Sequence, residues 1–267
     1  MLRFLRHISI LITLTILLSL GYLGAETMAI YGDTRTNSEI HSQVVLEIAG
    51  WKPGIAFHSG DLSQRGQTQA EYDRWKSISA PLSELCRIYP AKGNHERDRE
   101  LFLANFPYLN GSSWYSLEQD SIKFVVLDST EDLSPGSPQY QYLALQLAQT
   151  GLPIVIIMHH PVFSSGEHGD ELSLGLFLPG LFEDSRVKLV ISGHEHSYER
   201  LEYGGISYLV SGGGGAPLRD ATTEHPYSKI FVKKHNYIIA QRDKDELSIS
   251  VYSLGRELIE SITIDLR

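Results

Sequence analysis

The chain has 267 residues, of which 42% are hydrophobic, 10% aromatic and 21% charged, as in a packed globular protein. This composition excludes a disordered, collagen-like or coiled-coil chain and provides enough apolar material for a sizeable core. Lys and Arg number 23 against 32 Asp and Glu, and the net charge of −9 without a basic run argues against a nucleic-acid-binding patch. Because Cys86 is the only cysteine, a disulfide framework or a cysteine-rich metal site is excluded.

The chain begins with a predicted targeting segment. Two arginines and a histidine within the first seven residues precede an apolar run over residues 8–23. A basic start followed by such a run is typical of a secretory signal, although it is short for a membrane span of ~20 residues. We predict that residues 1–25 are a signal peptide or an N-terminal membrane anchor and that the protein is exported, to the periplasm or outside the cell. If the anchor is retained, residues 8–23 attach the protein to the membrane.

From Met28 onward, apolar β-rich runs alternate with amphipathic helical stretches, which predicts one α/β domain over residues 26–267 without a linker. Helices are predicted from Asn37 to Ala49, from the capping box Thr68/Glu71 to about Ser79, and from Ser137–Pro138 to Gly151. Strands are predicted at Met28–Tyr31, Gly54–His58, Cys86–Pro90, Ile122–Leu127, Pro153–Met158, Lys188–Ile191, Ile206–Val210, Tyr237–Ala240, Leu247–Tyr252 and Ser261–Ile264.

Polar residues follow five of these strands at the point where each strand ends. In open α/β sheets, ligands bind outside the carboxyl ends of the strands, so these residues are expected to meet. Each segment alone is weak evidence, because a Gly-Asp pair is usually a turn and a single His is usually structural. Five in order are not accidental: Gly32-Asp33-Thr34-Arg35, Gly60-Asp61-Leu62-Ser63, Gly93-Asn94-His95-Glu96, His159-His160-Pro161 and Gly193-His194-Glu195-His196. Their carboxylate, amide and imidazole groups suit Zn, Fe, Mn or Ni.

This ordered set resembles the calcineurin-like metallophosphoesterase superfamily, closest to its purple acid phosphatase-like branch, over about residues 28–265. The strings GHEHSYER at 193–200 and SGGGGAP at 211–217 are also similar to that branch. The resemblance implies an α+β-type four-layer sandwich, with two mixed β-sheets packed face to face and flanked by helices. It also implies two metal ions: Asp61 bridges them, Asp33 and His196 bind the first, and Asn94, His159 and His194 bind the second.

Two positions depart from the family pattern at the first metal. Many relatives have His two residues after the first Asp, where this chain has Arg35. Purple acid phosphatases have Tyr three residues after the bridging Asp, where this chain has Gln64. The missing ligand is therefore water, Gln64 or His41, and the other reading of His41 is a structural or supporting role. Weaker occupancy of the first metal follows as a hypothesis.

The implied chemistry is hydrolysis of a phosphoester by a water or hydroxide that two divalent or trivalent ions (Fe, Zn, Mn or similar) activate. His95 and His168 are candidate proton donors to the leaving group. Arg35 either holds a phosphate oxygen or forms an ion pair with Glu96 or another carboxylate. His58 and His160 are expected to support the site rather than bind metal.

The leading prediction is an exported metal-dependent phosphatase that acts on a phosphomonoester of a small molecule. The alternative on the same site is a phosphodiesterase or a nucleotide-phosphate hydrolase. The alternative of a different class is a non-catalytic metal-binding interaction module that keeps the fold without turnover. Sequence does not separate the two enzymes, because loops such as 163–178 and 216–229 would select the substrate.

Overall fold

The computed structural model describes residues 27–183 and 185–267. The segment predicted as a signal or anchor, residues 1–25, lies outside the described residues. Within the described ranges, no helix combines the length and the apolarity needed to cross a bilayer.

The first sheet contains three parallel strands followed by a three-stranded antiparallel meander. Strand order is β13-β12-β11-β1-β2-β3, with β1, β2 and β3 parallel and β11 antiparallel to β1. The strands are β1 (Thr27–Tyr31), β2 (Ile55–His58), β3 (Arg87–Pro90), β11 (Asn236–Asp243), β12 (Glu246–Ser253) and β13 (Glu257–Asp265).

The second sheet has the order β10-β8-β9-β7-β6-β5-β4, and its central strands β5, β6, β7 and β9 are parallel. Short antiparallel strands flank them on both edges. The strands are β4 (Tyr115–Gln119), β5 (Ile122–Val126), β6 (Ile154–Ile157), β7 (Val187–Ser192), β8 (Tyr198–Tyr203), β9 (Ile206–Ser211) and β10 (Ser228–Val232).

Helices cover the outer face of each sheet. The core between the sheets contains Ile30, Phe57, Phe124 and Ile157 and joins both sheets in one cluster. Separate apolar clusters lie between each sheet and its helices, so the molecule has four layers. The helices are α1 (Ser38–Ala49), α2 (Gln69–Ser83), α3 (Arg99–Asn105), a 3-10 turn (Pro107–Leu109), α4 (Pro138–Ala148), α5 (Leu172–Gly175) and α6 (Leu178–Glu183).

The predicted fold class, two mixed sheets face to face with helices outside, is confirmed. All ten predicted strands and all three predicted helices are present. The predicted end of α2 at about Ser79 is wrong, because the helix continues past Pro81 to Ser83 and buries Leu82. β4, β8, β10 and the short helices α3, α5 and α6 were not predicted.

The five polar segments all lie where parallel strands end. β1, β2 and β3 end next to one another in the first sheet, and β6 and β7 end next to one another in the second. Gly193 N donates to the carbonyl of His159 at 3.0 Å, and Ala91 N donates to His58 O at 2.8 Å, so neighbouring ends stay paired. The fold therefore brings the predicted residues to one edge of the sandwich, where both sheets contribute.

Candidate metal centre

Three of the predicted ligand residues have a left-handed backbone at the ends of their strands. The φ angle is 57° at Asp33, 58° at Asp61 and 68° at His194. Non-glycine residues rarely adopt this conformation, which costs about 1–3 kcal/mol each, so the surroundings must hold it. Asp33 N donates to Gly60 O at 2.9 Å, and His194 N donates to Asp33 Oδ2 at 3.0 Å. These sharp turns direct side chains from separate strands toward one point.

The imidazole of His159, just after β6, is the centre of a cluster of donor atoms. Its Nδ1–H donates to the carbonyl of Ser59 at 2.9 Å, so the lone pair on Nε2 is left for the cluster. Around Nε2 lie Asn94 Oδ1 at 2.9 Å, His194 Nδ1 at 3.2 Å and Asp61 Oδ1 at 3.3 Å. Burial lowers the pKa of His159 and of His194, so both rings are neutral, the form that binds metal. Two oxygens and two neutral nitrogens fit a divalent cation.

Asp33 lies next to this cluster with one oxygen unpaired. Its Oδ1 is buried and has no hydrogen-bond partner, whereas Oδ2 accepts from His194 N. Burial, and then the charge of Asp61, raise the pKa of Asp33 well above its ordinary value. A buried oxygen of this kind needs a cation or a proton. Ligand atoms of Asp33, Asp61 and His159 lie within 4.8 Å of one another, so these three can reach one ion.

His196 and Arg35 form the other side of the site. The Nδ1–H of His196 donates to the carbonyl of Pro217 at 2.7 Å, so its Nε2 carries the lone pair and lies 3.6 Å from Asp33 Oδ1. Arg35 Nη2 donates to that Nε2 at 3.3 Å, and Arg35 Nε donates to Asp61 Oδ2 at 3.0 Å. Arg35 therefore forms an ion pair with Asp61, one of the carboxylates other than Glu96 that the sequence allowed.

The buried carboxylate of Glu96, whose role sequence reasoning missed, holds the loop of Asp61. It accepts hydrogen bonds from the backbone N–H groups of Asp61 and Gly93, each at 3.0 Å, and of Ser63 at 3.1 Å. Burial and the charge of Asp61 raise the pKa of Glu96 to about 8, against these N–H donors, which lower it. Its position two residues after Asn94 was the available signal, but only the fold shows which N–H groups it meets.

A second missed carboxylate, Glu195, holds the loop of His168. Glu195 lies between His194 and His196 in the chain, and its carboxylate lies within 4.8 Å of ligand atoms of His168 and His194. It is fully buried and accepts from the backbone N–H of His168 at 2.6 Å and from its Nδ1 at 3.0 Å. The ring of His168 lies 4.4 Å from that of His194, with 44% of its side chain exposed. His168 is thus fixed at the mouth of the site.

His95 lies beside Asp61 in a fixed orientation. Its Nδ1–H donates to the carbonyl of Gln64 at 2.6 Å, which directs Nε2 into the site, 3.9 Å from Asp61 Oδ2. Its backbone N–H also donates to Asp61 Oδ1 at 3.1 Å. The structure therefore brings His95, like His168 and Arg35, to the predicted ligands.

The remaining candidates lie outside the cluster. His41 is buried, and its Nε2 lies 3.2 Å from Ser79 Oγ, so it supports α1 against α2 instead of reaching the carboxylates. His58 accepts from Gly60 N through Nδ1 and bonds Thr34 Oγ1 through Nε2, so both of its ring nitrogens are used. The Gln64 side chain accepts from Thr36 Oγ1 at 3.2 Å.

His160 contacts the loop that it was expected to support, but it also lies beside the predicted metal ligands. Its Nδ1 lies 2.9 Å from Ser129 Oγ, as expected for a residue that orients a loop. Its ring nevertheless lies 4.5 Å from that of His194, and His159, His160 and His194 form a second group of ligand atoms within 4.8 Å. The third such group in the described part of the chain is His168, His194 and Glu195.

A cleft of about 470 Å³ opens beside His196, a size suited to a small ligand. Two guanidinium groups face it, those of Arg35 and Arg219. Arg219, which sequence reasoning did not select, donates to the carbonyl of His194 at 2.9 Å and pairs with Glu167 at 3.2 Å. The cleft gives an anion access to the site on a protein of net charge −9.

A two-sheet sandwich with Asp, Asn and His donors at the ends of its parallel strands is the fold and site of a metallophosphoesterase. A family model described as calcineurin-like phosphoesterase matches residues 29–198. Because that match covers more than half of the chain, the protein belongs to the calcineurin-like phosphoesterase family.

The curated relatives include a purple acid phosphatase, and a solved purple acid phosphatase shares the fold. The chain is 29% identical over 195 residues to probable purple acid phosphatase 20 of Arabidopsis thaliana, covering 64% of this chain and 45% of that protein. It is 26% identical over 232 residues to a nucleotide pyrophosphatase/phosphodiesterase of Hordeum vulgare, covering 68% and 63%. The chain thus spans less than two thirds of these relatives. The purple acid phosphatase PPD1 of Lupinus luteus superposes with a TM-score of 0.77 at 18% identity, covering 92% of this chain and 54% of that one.

Proposed function

We propose that residues 26–267 form a metal-dependent phosphoesterase and that Asn94, His159, His194 and Asp61 hold a metal ion in its site. The observation that carries this proposal is the convergence of three donor atoms within 3.3 Å of His159 Nε2. The proposed site lies at the ends of parallel strands, where both sheets contribute side chains. A divalent ion bound there lowers the pKa of a bound water and draws charge from phosphoryl oxygens.

The residues around the ion position the substrate and supply the proton. When protonated, His95 can donate from Nε2 to the leaving oxygen, because its Nδ1–H is occupied by the carbonyl of Gln64. His168 faces the site from its mouth, where it would contact the part of the substrate beyond the phosphate. Arg219, in the wall of the cleft, adds positive charge where an anionic substrate enters.

The proposed substrate class is a phosphomonoester of a small molecule. The match to a purple acid phosphatase supports this class. A phosphodiesterase or nucleotide-phosphate hydrolase is the second candidate, because one relative bears the name nucleotide pyrophosphatase/phosphodiesterase. Export, through a signal or anchor in residues 1–25, is part of the proposal and depends on the sequence alone.

The first experiment measures hydrolysis of a chromogenic phosphomonoester and its diester analogue by the purified full chain, with Zn²⁺, Mn²⁺ or Fe²⁺ added in turn. We expect turnover that a chelator abolishes and the metal restores. In the variants Asn94→Ala and His159→Ala, we expect a loss of at least about 100-fold, since ligand and supporting changes cost 10–100-fold or more in metal affinity or activity.

The matched control is Gln149→Ala, which removes an exposed amide between α4 and β6, at the opposite end of the sheet. Circular dichroism should show all variants folded and Gln149→Ala as active as the wild type. Unchanged hydrolysis in Asn94→Ala and His159→Ala would contradict the proposal. A folded wild type without turnover on either ester and with any metal would favour the non-catalytic module. The ratio of monoester to diester turnover decides between the two enzyme candidates.

A further inference from the structure

Arg35 makes the contacts that a first metal ion would make. It lies two residues after Asp33, and its side chain is only 12% exposed. Its Nε donates to Asp61 Oδ2 at 3.0 Å, while its Nη2 donates to His196 Nε2 at 3.3 Å. These two acceptors are the atoms that Asp61 and His196 would offer to the first ion of a pair.

Of the two acceptors, His196 can serve only one cation at this point. The Nδ1–H of His196 is donated to Pro217 O at 2.7 Å, so Nε2 is the only ring nitrogen left to bind a cation. The guanidinium group is a permanent cation that only donates, so it cannot share Nε2 with a metal ion. The side chains on this side therefore do not fit a second resident metal while Arg35 stays in place.

The remaining donors gather around His159 instead. Ligand atoms of Asp33, Asp61 and His159 lie within 4.8 Å of one another, and Asn94 and His194 lie within 3.2 Å of the His159 ring nitrogen. Among the residues that the structure describes, no group of three such ligand atoms includes His196. A carboxylate oxygen of Asp33 is therefore close enough to serve the ion held at His159.

We propose that this chain holds one metal ion, at His159, and that the guanidinium of Arg35 takes the place of the second ion. The proposal rests on the proposed function and replaces the expectation of two ions. A guanidinium there balances the charge of Asp61 permanently, whatever the metal supply. It also presents a fixed cation next to the phosphate, a role that a planar donor performs well.

The test is metal content and not activity. The purified full chain is loaded with excess Mn²⁺ or Zn²⁺, desalted, and analysed by mass spectrometry for metal per chain. We expect one ion in the wild type and two in Arg35→His, because the substitution removes the cation and adds an imidazole ligand. Arg35→Met, which removes the charge without adding a ligand, should release His196 and bind a second ion more weakly.

The matched control is Arg87→His, an exposed arginine at the opposite end of β3. It should bind one ion, as the wild type does. With Mn²⁺, paramagnetic resonance adds a second readout, since two ions ~3.5–4 Å apart are magnetically coupled and a single ion is not. A coupled pair in the wild type, or a single ion in folded Arg35→His and Arg35→Met, would overturn the proposal.

Failure of this proposal is distinguishable from failure of the proposed function. If the wild type binds two ions and its hydrolysis depends on metal, the proposal that Arg35 replaces the second ion is wrong. The proposed phosphoesterase activity is then still supported. A wild type that binds no ion would contradict both.

Discussion

At the scale of single residues, the site depends on glycines that let two loops touch. Gly193 precedes His194 and lies against Asp33 and Ser59, and Gly93 lies against Asp61. Neither glycine has a left-handed φ, whereas the ligands Asp33, Asp61 and His194 do. The glycines are needed because a side chain would occupy the space of the carboxylates.

We expect Gly193→Ala to displace the Asp33 carboxylate. A Cβ at this position would lie 2.4 Å from Asp33 Oδ2 and 2.8 Å from Ser59 Oγ, closer than real side chains approach. Overpacking of this kind costs about 1–3 kcal/mol. Urea unfolding with a chelator present should show that loss of stability, since it excludes any contribution from metal binding. Metal affinity should fall as well, because Asp33 Oδ2 loses its bond with His194 N.

Gly151→Ala is the control for this substitution. No atom lies within 4 Å of a Cβ built at Gly151, in the loop before β6. Its stability should stay within about 0.5 kcal/mol of the wild type. Equal stability of Gly193→Ala and Gly151→Ala would show that the two loops can separate at no cost.

At the scale of elements, the sequence predicts all the strands that are fully buried, and two of the three strands that it misses are half-buried edge strands. β2, which is apolar except for His58, and the apolar β6 are fully buried and were predicted. β4 and β10 are edge strands that are mostly half-buried, so they lack a clear apolar period. β8 contains Arg200, which looks like a surface residue in the sequence. In the fold it pairs with Glu260 on β13, at 2.7 Å, and with Glu202.

Some residues of the candidate site could also be predicted from the sequence, and others could not. Residues such as Asp61 and His159 were predicted because their position at strand ends is visible in the sequence. The functions of Glu96 and Glu195 were not predicted, because these residues accept from backbone N–H groups that only the folded loops bring to them. The contact of Arg35 with His196 joins residues 161 positions apart, which no local pattern contains.

The first turn of α2 is connected to the site through hydrogen bonds of the preceding loop. One carboxylate, that of Glu71, accepts from the backbone N–H groups of Arg65 at 2.8 Å, Gln67 at 3.1 Å and Thr68 at 3.2 Å. It thereby caps the helix and closes the loop that contains Gln64. The carbonyl of Gln64 in turn holds His95.

We expect Glu71→Ala to reduce the free energy of unfolding by about 1–2 kcal/mol, at the upper end for a lost helix cap, because several N–H groups lose one acceptor. Urea unfolding at pH 7 measures this change. Glu84→Ala, at the other end of α2, is the control and should change stability by less than about 0.5 kcal/mol. If both substitutions had the same effect, the capping interaction would not stabilise the helix.

At the scale of the whole molecule, the protein encloses neutral histidines that acid must charge. His41 is one of them, and it lies outside the site, between α1 and α2, with the rings of Tyr31 and Trp75 at 6.4 and 6.3 Å. Burial lowers its pKa to about 3 from the ordinary 6.5. His58 is also kept neutral, because burial and then the charge of His41 lower its pKa well below the ordinary value.

The sign of the resulting pH dependence follows from proton counting. Between pH 6.5 and about 3, the unfolded chain binds a proton at His41 and the folded chain does not, so stability falls as pH falls, by up to about 1.4 kcal/mol per pH unit.

His41→Gln retains a polar group for Ser79 and removes this proton. We expect the plot of unfolding free energy against pH, measured in urea with a chelator from pH 7.5 to 4.5, to be shallower in the variant by that slope. At pH 7.5 neither state protonates His41, so the difference there isolates packing from titration. Parallel plots below pH 6 would show that His41 takes up its proton in the folded protein, through local opening of α1 from α2.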